Sequence, residues 1–471
     1  MLDNSPPPAT RDELPVQVAT RRYLDAAFAR NAEAYGFEEV ATPIFERADL
    51  FTARSGPEIK SSLLTFHCDH EEYALRPELT APICRLVASG ALEEYRRPYK
   101  LFYVGPCFRY CRPHSGRSRQ FTQAGFEVLG DASPRADAEV VAAAYRFLRS
   151  IGIGNLTLTI GTAGIFRSLL PVELNPDERA TVIGHLDRLS GISERCAALS
   201  ADNDPLAIEQ LRMDRRELAS LQARDGYAGE FAIADLPAPG PREMAQRLPE
   251  EAAATFRRIW NVEGYLPDDT AELLIQASRI RGTLDEVSKL AATVLGTSSA
   301  GDSLADLMEV CRVLGHYGID GFEVSLGIAR GLTFYTGMVF EISGERGKLC
   351  GGGRYDRLVE LFGGDPTPAT GGGVRFDILQ QSLATQDRTA TSRGIGLTAA
   401  GPADEADAVR LAEELRDRGA SVGAAGAPIA TLEAGRVRLP GGIETGADAD
   451  SVLLALAAAA RDRRPAGKES A

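Results

Sequence analysis

From about residue 171 to about residue 315 the chain is rich in Ala, Leu, Glu and Arg at helical spacing, with few strand signals. The segments on either side are short runs of aromatic and branched residues. This contrast constrains the fold most, because any sheet must then be assembled from strands lying on both sides of a helical block. Upstream, strand candidates fall at 37–44, 63–66, 73–75, 100–103 and 120–128; downstream they fall at 322–326 and 333–342. Loops between short aromatic runs favour a largely antiparallel sheet. Pro43 is tolerable only at a sheet edge or boundary.

Helices frame these strands. Tyr23, Leu24, Ala27, Phe28 and Tyr35 share one face of a first helix, which Gly36 can close in the left-handed conformation. Ala138, Val141, Ala142, Tyr145 and Leu148 mark a second, at 135–150, followed by an alternating strand at 156–160. The expected class is therefore α+β. A composition change near Gln386 leads into strand, helix (Ala408, Leu411, Ala412, Leu415), a short strand at 420–423 and a final Ala/Leu helix at 448–460. These make a small α/β tail. The expected partition is a core at 1–170 and 316–385, an insertion at 171–315 and the tail at 386–471.

Charge limits the function. The chain has 471 residues, with 52 Lys+Arg against 66 Asp+Glu for a net charge of −14. That balance opposes a surface built mainly to grip nucleic acid. No stretch approaches the roughly 18 apolar residues of a membrane span, and the segment 1–10 lacks an apolar signal core, so a cytoplasmic protein is expected. Seven scattered cysteines fit reduced thiols better than a disulfide framework. Neither Cys107, Cys111 and His114 nor His67, Cys68 and His70 is joined by a second pair at zinc spacing, so no metal is expected.

Three segments concentrate polar side chains that a core does not need: 75–80 with Arg76, Glu78 and Thr80; 108–127 with Arg109, Arg112, Arg117, Arg119, Gln123 and Glu127; and 330–337 with Arg330, Thr333 and Tyr335. Carboxylates and amides can hold an ammonium or an imidazole N–H, and arginines a carboxylate or phosphate. A zwitterion or nucleotide site would use such residues, but arginines and glutamates on neighbouring strands also form solvated ion pairs without any ligand. The run Gly351-Gly352-Gly353 is equally two-sided: it can cradle phosphate or let backbones approach closely, and no Gly-Lys-Ser/Thr follows it as in a Walker loop.

The order and wording of these segments resemble the histidyl-tRNA synthetase family. Residues 10–15 (Thr-Arg-Asp-Glu-Leu-Pro) resemble its opening phrase, and 42–46 (Thr-Pro-Ile-Phe-Glu) its dimer-forming first class II motif. Residues 75–81 (Leu-Arg-Pro-Glu-Leu-Thr-Ala) and the second motif with its extension at 108–127 follow, and 330–335 and 351–356 resemble the two histidine-specific signatures. The resemblance covers about residues 10–380. It implies a class II aminoacyl-tRNA synthetase-like antiparallel sheet with flanking helices, a helical insertion and a small α/β C-terminal domain. It also implies a histidine site of Glu78, Thr80, Arg109, Gln123, Glu127, Arg330 and Tyr335.

Departures from the pattern carry the functional expectation. Cys111 stands where the family has a glutamate that accepts from adenine, and Ile378 where it has the arginine that clamps ATP phosphate; Arg375 fills a glycine position. A thiol is a poor acceptor, and losing one guanidinium removes stabilisation of about 3 kcal/mol. Leu79 and Thr333 replace the family's glycine and aspartate, and the tail is poor in Lys and aromatics, so a tRNA surface is not expected. The pattern is most similar to the regulatory subunit of short-form ATP phosphoribosyltransferase. The expectation is a non-catalytic subunit of histidine biosynthesis, with no cofactor, binding histidine as a homodimer within a hetero-oligomer with the short catalytic subunit. The alternatives are a divergent histidine–tRNA ligase and a stand-alone histidine-binding or protein-interaction module.

Overall fold

The computed structural model describes residues 4–52, 62–111, 118–201, 205–224, 240–295, 300–328, 334–384, 396–401, 404–417, 429–434, 436–439, 443–446 and 448–462. The chain divides into two units, one of Met1–Asp12 with Arg21–Ser382 and one of Glu13–Thr20 with Leu383–Ala471.

The first unit is built on a nine-stranded sheet. In chain order its strands are β1 (Glu38–Glu39), β5 (Tyr99–Phe108), β6 (Gln120–Leu129), β7 (Thr157–Thr162), β8 (Arg281–Gly282), β9 (Glu323–Ser325), β10 (Met338–Gly344), β11 (Gly347–Arg354) and β12 (Ala369–Arg375). Their order across the sheet is β1-β5-β6-β12-β11-β10-β7-β9-β8. The ladders are antiparallel except β1–β5 and β7–β9, which are parallel. The result is a mixed sheet with flanking helices, within the α+β class.

Alternation along β6 shows how the sheet is filled. Ala124, Phe126 and Val128 are buried on one face, under the helices α1 (Pro15–Ala34) and α4 (Pro134–Ser150). There the Phe28 ring lies 4.4 Å from Phe126, 5.0 Å from Phe147 and 5.8 Å from Phe376, centroid to centroid. Deleting one such ring costs about 3–5 kcal/mol. The start of α4 is set by Ser133, whose Oγ accepts from the Ala136 N–H, and by Pro134 at the first helical position. Gln123, Gly125 and Glu127 face the opposite side, which the helix α3 (Thr80–Ala88) covers with Ile83, Cys84 and Val87.

The expected strand at 37–44 divides. Glu38 and Glu39 join the main sheet beside β5; the chain then leaves it, and β2 (Phe45–Arg47) pairs with β4 (Glu71–Leu75), itself paired with β3 (Leu64–Cys68), in a separate sheet. Pro43 has no N–H for a ladder. The carbonyls of Thr42 and Pro43 instead accept from Arg76 Nη1 at 2.7 and 3.1 Å. Phe45 and Phe66 on this small sheet, and Ile44 just before it, are exposed. The strand expected at 333–342 begins at Met338, and its first residue, Thr333, lies outside the described residues.

The helical stretch holds α6 (Pro176–Ala201), α7 (Pro205–Arg224), α8 (Pro241–Val262), α9 (Asp268–Ser278), α10 (Leu284–Leu295) and α11 (Gly301–His316). It also returns β8 to the main sheet, against β9. Within it His185 is a core residue: its Nδ1 accepts from Trp260 Nε1 at 3.0 Å, its ring stacks on Phe256, and burial pulls its pKa down to about 4. In the second unit β13 (Gly396–Ala399) runs parallel to β14 (Ile429–Glu433), and β15 (Arg436–Arg438) and β16 (Glu444–Gly446) complete a four-stranded sheet. Leu411, Leu415, Leu432 and Val452 belong to the core of that unit. The strand expected at 420–423 lies outside the described residues. No described helix is long and apolar enough to cross a membrane.

Candidate active site

The sheet face opposite Phe126 carries a cavity of about 440 Å³, within the ordinary range for a small-molecule site. Glu78, Thr80, Arg109, Gln123 and Tyr335 all line it, so three polar segments far apart in sequence converge there. Glu127 is fully buried and lies one layer behind them. Its Oε1 accepts from Thr80 Oγ1 at 2.9 Å and from Tyr103 Oη at 2.8 Å, and its Oε2 from Tyr355 Oη. Arg330 lies outside the described residues.

Glycines make room for this carboxylate. A Cβ at Gly371 would stand 1.5 Å from Glu127 Oε2, one at Gly125 would stand 2.3 Å from Tyr103 Oη, and one at Gly373 would stand 2.5 Å from Gln123 Nε2. The triple glycine is also explained by packing. Gly351, Gly352 and Gly353 lie inside β11 against Gly373, Gly372 and Gly371 of β12, and a Cβ at Gly352 would stand 2.0 Å from the Gly371 carbonyl oxygen. Two neighbours of that run are scaffold: Arg354 is buried and donates to Asp137 and Asp356, both at 3.0 Å, tying β11 to α4. Arg76 is a strut as well, since its guanidinium spends its donors on the carbonyls of Thr42, Pro43 and Pro106.

Along the β12–β6 ladder the cavity has two ends, a closed one where Gly371 faces the buried Glu127 and an open one at the half-exposed Arg375, four residues further along β12. At the closed end Glu78 accepts from the backbone N–H groups of Thr80 at 2.6 Å and Ala81 at 3.0 Å, at the start of α3. Burial raises its pKa, against those two bonds and the charge of Arg109. Burial also pushes Glu127 up to about 7, opposed by the hydroxyls of Tyr355, Tyr103 and Thr80. Two carboxylates and a cluster of hydroxyls suit a cationic or N–H-rich group. At the open end stands Arg375; the wall also carries Lys348, Cys111 and Asp377, while Arg109 stands close to Glu78. Arg109 Nε donates to the Pro77 carbonyl at 2.8 Å, and its guanidinium lies 5.4 Å from the Phe121 ring. Cys111 is in the wall and Ile378 is not. Among the described residues no group of three or more His, Cys, Asp or Glu is placed to hold a metal.

Sequence reasoning did not single out Tyr103, Tyr355 or Lys348, and it treated Arg375 only as a replaced glycine. Tyr355 directly follows the glycine run and Arg354, which was the available signal. Tyr103 read only as a strand aromatic.

A mixed sheet of this order with flanking helices and a polar cavity on the face opposite Phe126 defines a class II synthetase-like protein. The model of the family described as histidyl-tRNA synthetase matches residues 9–236 and 231–379. Curated relatives include the histidine–tRNA ligase of Methanocaldococcus jannaschii, 31% identical over 385 residues (81% of this chain and 76% of that one). That of Methanosarcina acetivorans is 32% identical over 416 residues (87% and 82%). Among solved structures, one from Bacillus halodurans described as an ATP phosphoribosyltransferase regulatory subunit/histidyl-tRNA synthetase superposes with a TM-score of 0.63 at 23% identity, covering 90% of this chain and 92% of that one. The chain belongs to the histidyl-tRNA synthetase family.

These relatives overturn the expectation of a non-catalytic regulatory subunit. Archaeal proteins named as ligases, which are enzymes, match most of the chain at about 30% identity. That expectation rested on the loss of arginine at 378; the cavity wall also carries Arg375 and Lys348.

Proposed function

We propose that the chain is a histidine–tRNA ligase that activates histidine with ATP in this cavity. Histidine enters with its ammonium and ring nitrogens toward Glu78, Gln123, Tyr335 and the Glu127 cluster, and its carboxylate toward Arg109. ATP lies across the open end. A carboxylate oxygen of histidine attacks the α-phosphorus, the bond from that phosphorus to the bridging oxygen breaks, and pyrophosphate leaves. The resulting histidyl adenylate passes its acyl group to tRNA. Here the protein acts by positioning and by holding developing negative charge.

The observation that carries this reading is one cavity lined by both signs of charge, with Arg109 beside Glu78, the buried Glu127 behind that wall, and Arg375 four residues along β12 from the position opposite Glu127. The similarity to ligases over most of the chain supports it. The test is histidine-dependent ATP–pyrophosphate exchange by the purified protein, followed by charging of tRNA. Exchange with histidine and not with other amino acids is expected. Absence of exchange sinks the proposal, and exchange without charging removes its tRNA half.

A further inference from the structure

We infer that Arg375, braced by Asp377 and accompanied by Lys348, grips the polyphosphate of the nucleotide at the cavity mouth; this rests on reading the cavity as an adenylating site. The placement follows from register. Across the ladder to β6, Gly371 pairs with Glu127, Gly373 with Gly125 and Arg375 with Gln123. Side chains two residues apart share a face, so Arg375 projects from the same face as the two glycines that keep the floor bare. β12 thus reads, along its ligand face, as two empty positions followed by a guanidinium.

That guanidinium is held at one terminal nitrogen and is otherwise exposed. The next residue, Phe376, begins the helix α13 (Phe376–Ala384) with its ring buried against Phe28 and Phe147. Asp377 Oδ2 accepts from Arg375 Nη2 at 2.9 Å. The Asp377 side chain is 14% exposed and that of Arg375 43%, and both line the cavity, so the more buried carboxylate braces the more exposed guanidinium. This pair uses one nitrogen of a five-donor fork, and a planar fork suits phosphate oxygens. Lys348 reaches the same wall: a Cβ at Gly351 would meet its Cε at 2.8 Å, and its Nζ lies 3.3 Å from Glu341 Oε2.

The number of cations decides what they face. One amino-acid carboxylate is matched by Arg109, while Arg375 and Lys348, each with one carboxylate partner, add donors that a single carboxylate does not use. A triphosphate supplies several separated charges. A guanidinium on the last residue of β12 can therefore serve where the resemblance would place one at 378, inside the helix.

The experiment compares wild type, Arg375→Ala, Arg375→Lys and Asp377→Asn for binding of α,β-methylene-ATP, for histidine binding, and for the kcat and ATP KM of histidine-dependent exchange. Arg375→Ala is expected to weaken the analogue about tenfold or more and to lower kcat about 100-fold, with histidine affinity within about twofold of wild type. Arg375→Lys should recover part of the analogue affinity, and Asp377→Asn should lose a smaller part, because it loosens the brace without removing the cation. If Arg375→Ala does not fold, the Lys variant carries the test. Unchanged analogue affinity overturns the inference, as does a loss of histidine affinity instead, or a defect confined to tRNA charging. A wild type that binds the analogue in an Arg375-dependent way yet shows no exchange upholds the grip and breaks the adenylation reading. A wild type that does not bind the analogue breaks both.

Discussion

The closed and open ends of the cavity are built by opposite means. At the closed end one buried carboxylate accepts from Thr80, Tyr103 and Tyr355, which come from three separate segments, and Gly371 leaves no space above it. At the open end Arg375 is held by a partly exposed ion pair, with Lys348 nearby. The first arrangement is over-determined, so one change disturbs many contacts. The second depends on where positive charge can reach, and reach can be met from a neighbouring position. On the proposed reading, geometry fixes the histidine end, while the nucleotide end is the one that accommodates Cys111 and Ile378.

The harshest way to break this contrast is to fill the closed end. In Gly371→Ala the new methyl group would collide with Glu127 Oε2. Overpacking of this kind costs about 1–3 kcal/mol, and a displacement near 1 Å can cost roughly 100-fold in rate. The expected outcome is a lower melting temperature and histidine-dependent exchange reduced about 100-fold, with binding of α,β-methylene-ATP retained. Equal loss of histidine and analogue binding would show that the two ends are one unit.

A gentler probe is pH. Burial holds Glu127 at about 7, above its ordinary 4.5. The folded protein therefore binds this proton more tightly than the unfolded chain does. The stability this carboxyl contributes is full below about 4.5 and is lost as pH rises through about 7. Glu127→Gln should flatten the stability profile across that window. In the proposed histidine binding the sign is opposite: an ionised carboxylate one layer behind the wall attracts the ammonium across it, so wild-type histidine affinity should gain relative to the variant as pH rises from about 6 to about 8. A difference of about tenfold is expected at the upper end. Comparing the two proteins cancels the titration of the ligand imidazole, and parallel profiles would place Glu127 outside ligand recognition.

The same contrast explains what could be read in advance. Glu78, Thr80 and Gln123 were legible because each lies in a compact polar motif, and the helical face of 135–150 because its apolar spacing is regular. The depth of Glu127 was not legible, since it depends on hydroxyls at 80, 103 and 355 meeting in space. The proposed role of Arg375 was not legible because counting positions places a residue in a line, whereas that proposal depends on which face of β12 it occupies and on that strand pairing with β6. The division of 37–44 was hidden for a similar reason: Arg76, distant in sequence, satisfies the carbonyls where the strand breaks.

The smallest expected effects test the open end most sharply. Cys111 lines the cavity, so Cys111→Glu adds an acceptor within it; the gain in affinity for the ATP analogue should be about fivefold, the size of one added hydrogen bond. Ile378 is not in the wall, and the mouth already holds Arg375 and Lys348. An arginine introduced by Ile378→Arg would add like charge to a site that has its cations, so the analogue dissociation constant should stay within about twofold of wild type. A tenfold gain from Ile378→Arg alone would mean that the mouth lacks a phosphate clamp and that Arg375 does not supply one. A gain from Cys111→Glu without one from Ile378→Arg is what a site that has moved its guanidinium, rather than lost it, must give.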